Sequence, residues 1–459
     1  MWQAKEIYRL LHNHPRGQTI IKQYGNIEIH TEASLGDIIL NQSLAALASS
    51  NPGIFTKELE VGLLGNGYDI AVHSLKDMPT SLPTGLVLAG IGKREDPRDA
   101  FMVSIQNKEK AIQDLNQLPS GSIIGTSSVR REALLHRDYP DLLITGVRGN
   151  LNTRLKKLDK LHNIPNINII TKDTEQPTIV TNTSTDNTLV PDASTRAERW
   201  NPGTTVTANE SSTPSTTSST ESVQHYDALI LASAGLVRMG WGERITSRLS
   251  PRVFPYGVGQ GSLGIECREN DETAASLARS VTHGPSALRC LTERYFMNYL
   301  QGGCQVPIGV HTYFDGVDIE DIDNNPIETT STLHTSVSNN NKKHNPLPIP
   351  EPDIDGTPAA PERVRTLTIT GTVLSIDGSR CITATITEPV IVPDTEEITS
   401  LSVITKAQWN RMVEDGQRIG RQLGERIVHA GAGEILGSLS TKRPITYGAA
   451  EIPLDRPSN

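Results

Sequence analysis

Aromatic side chains are scarce in this chain. Phe, Tyr and Trp make up 4% of its 459 residues, and hydrophobic residues of all kinds 36%. That is low for one compact globule throughout, and it reads as an ordinary core diluted by polar insertions. Cysteine is also rare: Cys267, Cys290, Cys304 and Cys381 form no CxxC pair and no zinc-ligand spacing with histidine. No signal peptide, transit peptide or long apolar run opens the chain. A membrane partner is therefore not expected, and the reducing cytoplasm is the expected compartment. The net charge of −9 means positive charge is in short supply. General nucleic-acid binding is excluded on that ground, and any anion site must be a local basic pocket. The length suits two or three domains.

The chain opens with a short helix over 3–12, with Ile7, Leu10 and Leu11 on one face. A strand is expected over 19–30, from Ile20, Ile27 and Ile29. Thr56 is the expected N-cap of the next helix. Short apolar runs then end in polar or Gly-bearing turns, several of which lead into helices. Tyr68 to His73 runs into Ser74-Leu75-Lys76-Asp77, and Ile123-Ile124-Gly125 into Thr126-Ser127-Ser128-Val129-Arg130-Arg131. Leu142 to Thr145 leads to Gly146 to Arg154, and Tyr226 to Ala232 to the turn ending at Arg238. This alternation predicts doubly wound α/β units with parallel strands and ligands at the strands' carboxyl ends.

Residues 171–224, rich in Ser, Thr, Asn and Pro and without periodicity, read as a disordered insertion, and 315–363 as a second one. A helix over 286–300 leads to the Gly302-Gly303-Cys304 loop. Strands over 366–376 and 380–387, joined by Asp377-Gly378, make a hairpin. A last helix over 407–430 carries Ile419, Leu423 and Ile427 on one face. The expected division is 1–92 with 261–280 as a first domain, 98–256 as a second, and 283–459 as a small α+β third.

Thr126, Ser127 and Ser128 offer hydroxyls and backbone N–H groups at a helix start, where the helix dipole favours anions. Arg130 and Arg131 add planar forks that suit carboxylates, and Arg148, Arg154 and Arg238 follow comparable strand ends. Each arginine alone could be a solvated surface group, but three such starts in one domain favour a ligand with several carboxylates. Lys76-Asp77 is either a structural ion pair or a carboxylate kept ionised to stabilise a cation and shuttle protons. Cys304 is a nucleophile or a covalent anchor, since no His and Asn/Asp set at recognisable spacing supports it. His73, after a buried strand, reads as a packing or orienting residue. Gly259-Gln260-Gly261 lacks a full phosphate-loop pattern.

These motifs together resemble the porphobilinogen deaminase (hydroxymethylbilane synthase) family, in order and spacing, across about 20–310 apart from the insertion. The resemblance implies two periplasmic-binding-protein-like domains with the active site between them, plus a small α+β domain. It implies a transferase that joins four porphobilinogen molecules into hydroxymethylbilane and releases ammonia. Cys304 matches the cysteine that holds a covalent dipyrromethane cofactor, and Asp77 matches the catalytic carboxylate. Ser74, Lys76, Thr126, Ser127, Ser128, Arg130 and Arg131 match cofactor-binding positions, and Arg148, Arg154 and Arg238 substrate-binding ones. Phe55 and Lys57 match a loop beside the site. No metal or nucleotide is implied, and a monomer is expected.

The family opens with a strand carrying Gly-Thr-Arg-x-Ser-x-Leu-Ala, and Met1-Trp2-Gln3 falls where the following helix should already be running. A missing strand leaves backbone groups unpaired and a slot in the first sheet, so the chain as written is expected to be destabilised and weakly active. The alternatives are an inactive truncated form and a non-catalytic anion-binding protein on the same scaffold.

Overall fold

The computed structural model describes residues 2–32, 53, 55–160, 225–303, 305–315, 350–353, 356–395 and 402–439. The first predicted insertion lies outside them, as does Cys304.

Helix α1 (Trp2–Asn13) buries Ile7 and Leu11, on the face expected for them. The expected strand over 19–30 is not there. Its first part belongs to α2 (Pro15–Tyr24), because the His14 side chain caps the Arg16 N–H and Pro15 presets the first helical turn. Gly25, at φ 100°, ends the helix. In α3 (Lys57–Leu64), Thr56 holds the N-cap position without a side-chain cap bond. Its hydroxyl donates instead to Glu60 Oε1 at 2.6 Å.

The strands and helices that follow are β1 (Ala71–Ser74), β2 (Leu86–Ile91), β3 (Asp99–Val103), α4 (Ile105–Glu109), β4 (Ile123–Gly125), α5 (Val129–Asp138), β5 (Leu143–Thr145) and α6 (Leu151–Leu158). After them come β6 (Ala228–Ala232), α7 (Ser233–Arg238), β7 (Ser247–Arg248), β8 (Leu263–Arg268), α8 (Glu272–Ser280) and α9 (Gly284–Tyr299). The chain continues with β9 (Ile308–Phe314), β10 (Glu362–Leu374), β11 (Cys381–Pro393), α10 (Lys406–Ile427) and α11 (Gly433–Leu439).

These strands form three sheets, in the orders β1-β8-β2, β5-β4-β6-β3-β7 and β11-β10-β9. The predicted parallel pairing holds for β4 with β5 and with β6. It does not hold for β8 against β1 and β2, or for β3 against β6 and β7, which are antiparallel. The reason lies in the crossings at 92–98 and 249–262, from which β3 and β8 enter their sheets against the direction of their neighbours. The result is a mixed α/β fold with an antiparallel three-stranded sheet and helices in its last part.

Each sheet has its own apolar cluster. Ile7 and Leu11 pack with Ile265, Cys267 and Leu277, and Phe101 and Ile124 with Leu134 and Ile230. Phe296 packs with Ile369 and Leu423. Helices α9 and α10 approach closely because Gly416, Gly420 and Gly424 form an i, i+4 row on α10. A Cβ at Gly420 would lie 2.7 Å from the Phe296 nitrogen. The span read as a second insertion does not end as an extruded loop: Asp353 is buried against Arg16 at 2.6 Å, and Ala360 is buried. The carboxylate neutralises a guanidinium that is itself buried. Among the described residues, no helix is long and apolar enough to cross a membrane.

Candidate active site

Strands β4, β5 and β6 run side by side, so the turns after them share one edge of the sheet. The Thr126 N–H donates to the Thr145 carbonyl at 2.9 Å, tying the first two turns together. Ser127 completes the tie: its hydroxyl donates to the Val147 carbonyl at 2.8 Å and accepts from the Val147 N–H at 3.1 Å. Thr126 is buried and its Oγ1 accepts from the Ser128 N–H. Ser128 caps α5 by position, without a side-chain cap bond. Two of the three hydroxyls thus shape the turn from within.

Arg130 and Arg131, whose forks suit carboxylates, are both buried on Asp99. Arg130 Nη1 donates to Asp99 Oδ2 at 2.8 Å and to the Pro255 carbonyl at 2.6 Å. Arg131 donates to Asp99 Oδ1 through Nη2 at 2.7 Å and Nε at 3.0 Å, and to the Ile230 carbonyl at 2.9 Å. Burial alone would raise the Asp99 carboxyl, but the two guanidinium groups outweigh it and hold it below the usual carboxylate range. One carboxylate facing two cations leaves the node net positive.

Lys76 and Asp77 occupy a single 3₁₀ turn after β1. Buried Leu75 pins that turn, its N–H donating to the Ser262 carbonyl at 3.0 Å. From the other side, Arg294 donates to the Met78 and Pro79 carbonyls at 3.2 and 2.7 Å. Both side chains of the turn are solvent-accessible, yet Lys76 has protein on most sides, as a cleft residue does. Burial pushes its amine down, and Arg131 and Arg154 add to this against Asp77 and Asp99. Arg154 is pushed down to about 10 by burial and by Arg131 and Arg148, with Asp77 opposing. Burial lowers Arg148 too. Lys76, Asp77, Asp99, Arg131, Arg148 and Arg154 therefore form one electrostatic cluster with more cations than carboxylates.

Arg238 stands in a different group. Its Nη2 donates to the Gly261 carbonyl at 2.7 Å and its guanidinium lies 5.3 Å from the centre of the Trp2 ring. Gly261 has φ +90°, and a Cβ there would lie 2.5 Å from the Glu95 carbonyl oxygen, so only glycine fits. Ser74 accepts a hydrogen bond from Gln3. The start of α1 thus reaches two of the expected site residues. His73 is buried with Nε2 2.9 Å from Glu266 Oε2, an orienting role as read from sequence. Phe55 and Lys57 flank Thr56 at the start of α3.

Asp99 and Glu293 were missed from sequence, and Gln260 was noted only within the Gly259-Gln260-Gly261 stretch. Asp99 could have been noticed as a lone acid opening the apolar run Ala100 to Val103. Gln260 donates to Asp99 Oδ1 at 2.9 Å and to the Pro97 carbonyl at 2.6 Å. Glu293 pairs with Arg94 at 2.6 Å and accepts from the Gly259 N–H at 2.9 Å. Neither Gln260 nor Glu293 carries a local signal.

The fold and this cluster define an α/β enzyme scaffold for a polyanionic ligand, with one accessible carboxylate among cations. The description "Porphobilinogen deaminase, dipyromethane cofactor binding domain" matches residues 1–168 and 216–276, and "Porphobilinogen deaminase, C-terminal domain" matches 287–329. The porphobilinogen deaminase of a Nostoc species is 40% identical over 294 residues, covering 64% of this chain and 70% of that protein. That of a Synechococcus species is 39% identical over 293 residues, covering 64% and 71%. That of Synechococcus elongatus is 40% identical over 285 residues, covering 62% and 68%. The chain belongs to the porphobilinogen deaminase family.

Proposed function

We propose that this chain is a porphobilinogen deaminase in which Asp77 is the catalytic carboxylate and Cys304 the covalent anchor of a dipyrromethane primer. The reaction is a transferase step of porphyrin and heme biosynthesis: four porphobilinogen molecules condense to hydroxymethylbilane, each losing ammonia. What supports the residue roles is the interaction of Asp77 with Lys76 and Arg154, with Arg131 and Arg148 beside Arg154.

The residues suit the primer, whose pyrroles bear acetate and propionate groups. Burial and mutual repulsion depress Lys76 and Arg154, and bound carboxylates relieve both effects. Lys76, Ser74, Thr126, Ser128, Arg130 and Arg131 would hold it, with Ser127 shaping the turn; Arg148, Arg154 and Arg238 would hold substrate carboxylates. Bound at Cys304, the primer would supply the terminal pyrrole carbon to which the first unit is joined, each later unit joining the pyrrole added before it. Asp77, ionised among cations, accepts pyrrole N–H groups of the incoming porphobilinogen. It stabilises the cation left on that molecule when ammonia departs, and takes the proton released once the new carbon–carbon bond has formed.

The division into 1–92 with 261–280, 98–256 and 283–459 is part of the same reading, supported by the three separate sheets. So are a monomeric, cytoplasmic protein and no nucleic-acid partner, the last supported by the net charge of −9. Intact mass spectrometry of the purified protein tests the anchor. The expected result is an adduct of two pyrrole units that is lost in Cys304→Ser. An unmodified mass for the unsubstituted chain, or an adduct that survives the substitution, overturns the assignment.

A further inference from the structure

A cavity of about 60 Å³ opens between β2, α8, α9 and α10. None of the residues assigned above to the primer or the substrate lines it. Its walls are apolar, with Leu88 from β2, Ala275 from α8 and Trp409 from α10 among them. Two buried arginines also line it, Arg279 at 2% exposure and Arg294 at 3%. Arg279 gives Nη2 to Glu272, while its Nε is buried with no hydrogen-bond partner. Arg294 donates only to the carbonyls of Met78 and Pro79, and among the described residues no carboxylate pairs with it. Burial accordingly pushes it down to about 10.

Buried polar atoms are nearly always hydrogen-bonded, and buried cations are nearly always paired with an anion. Here the two lining arginines carry one orphan N–H and one guanidinium without an ion-paired carboxylate among the described residues, beside an apolar space larger than a single water needs. Glu269, the one acid in the lining, adds a negative charge that works against ligands with several carboxylates.

We propose that this cavity is a second binding site, for a small organic monocarboxylate with an apolar ring or short chain. The carboxylate meets Arg279 and Arg294, and the apolar body packs against Leu88, Ala275 and Trp409. This preference differs from that of the cluster around Asp77, which suits polycarboxylates.

Trp409 provides the signal. The holoprotein is titrated with benzoate at constant ionic strength while tryptophan fluorescence is followed, with Trp409→Phe as the control that assigns the change. The expected result is a saturable change absent from Trp409→Phe, with the midpoint raised at least tenfold in Arg279→Gln. Benzyl alcohol, equal in shape but uncharged, should bind at least tenfold more weakly. Ala275→Leu, which fills the apolar end and leaves both guanidinium groups in place, should also abolish the change. It keeps the test decisive if Arg279→Gln does not fold. The proposal fails if no saturable change occurs, if benzyl alcohol matches benzoate, or if the midpoint is unchanged in Ala275→Leu.

Discussion

Asp77 and Lys76 are neighbours in one turn. Arg154 helps to push the Lys76 amine down, while Asp77 favours the positive charge on both Lys76 and Arg154. A carboxylate in that position is ready to meet a developing cation without first paying to reorganise its surroundings. Removing it should therefore affect turnover far more than the fold, because the turn is pinned by Leu75 and Arg294. Asp77→Ala is expected to lower the steady-state rate of porphobilinogen consumption by about 10²–10⁴-fold, the usual range for a proton-transferring group. Its thermal unfolding should stay close to that of the parent. A rate within a few-fold of the parent's would remove Asp77 from catalysis.

At the scale of elements, the parallel strands β4, β5 and β6 were legible in the sequence. Ile123-Ile124-Gly125 and Ala228 to Ala232 are largely buried, so they read as short apolar runs with a turn and a helix start behind them. Strand β3 escaped notice because it opens on a charge, and Asp99 makes sense only once Arg130 and Arg131 are brought to it from α5. Strand β9 escaped for a similar reason: His311 and Thr312 break the apolar pattern, and both are buried through partners distant in sequence. The strand expected over 19–30 went wrong in the other direction, since three isoleucines outweighed the His14-Pro15 helix start. Local signals were enough where one element buries itself against its neighbours. They were not where charges pair across the fold. The Asp99 node shows what such pairing contributes. Asp99→Asn leaves two buried guanidinium groups without their carboxylate, and a loss of about 3–5 kcal/mol is expected from urea unfolding. A loss below about 1 kcal/mol would mean that the arginines are satisfied by their carbonyl partners and water.

At the scale of the whole molecule, the two crossings between β2 and β3 and between β7 and β8 are fastened by long-range polar contacts. Arg94 in the first crossing pairs with Glu293 on α9, and its Nε donates to the Gln260 carbonyl in the second at 2.8 Å. Gln260 carries the connection on to Asp99, so one set of side chains joins the Arg130–Arg131 node to the helix that leads towards Cys304. The family match covers residues 1–168 and 216–276 and leaves 169–215 unmatched. The composition of that span, rich in Ser, Thr, Asn and Pro, offers little apolar surface for a core to use. Deleting 175–215 and closing the gap with a short Gly/Ser linker should therefore leave the rate of hydroxymethylbilane formation within about twofold and the two-pyrrole adduct intact. The cost of shortening a long connecting span is small, since loop-closure entropy changes only slowly with length. A tenfold loss of rate, or loss of the adduct, would show that the span is part of the working enzyme.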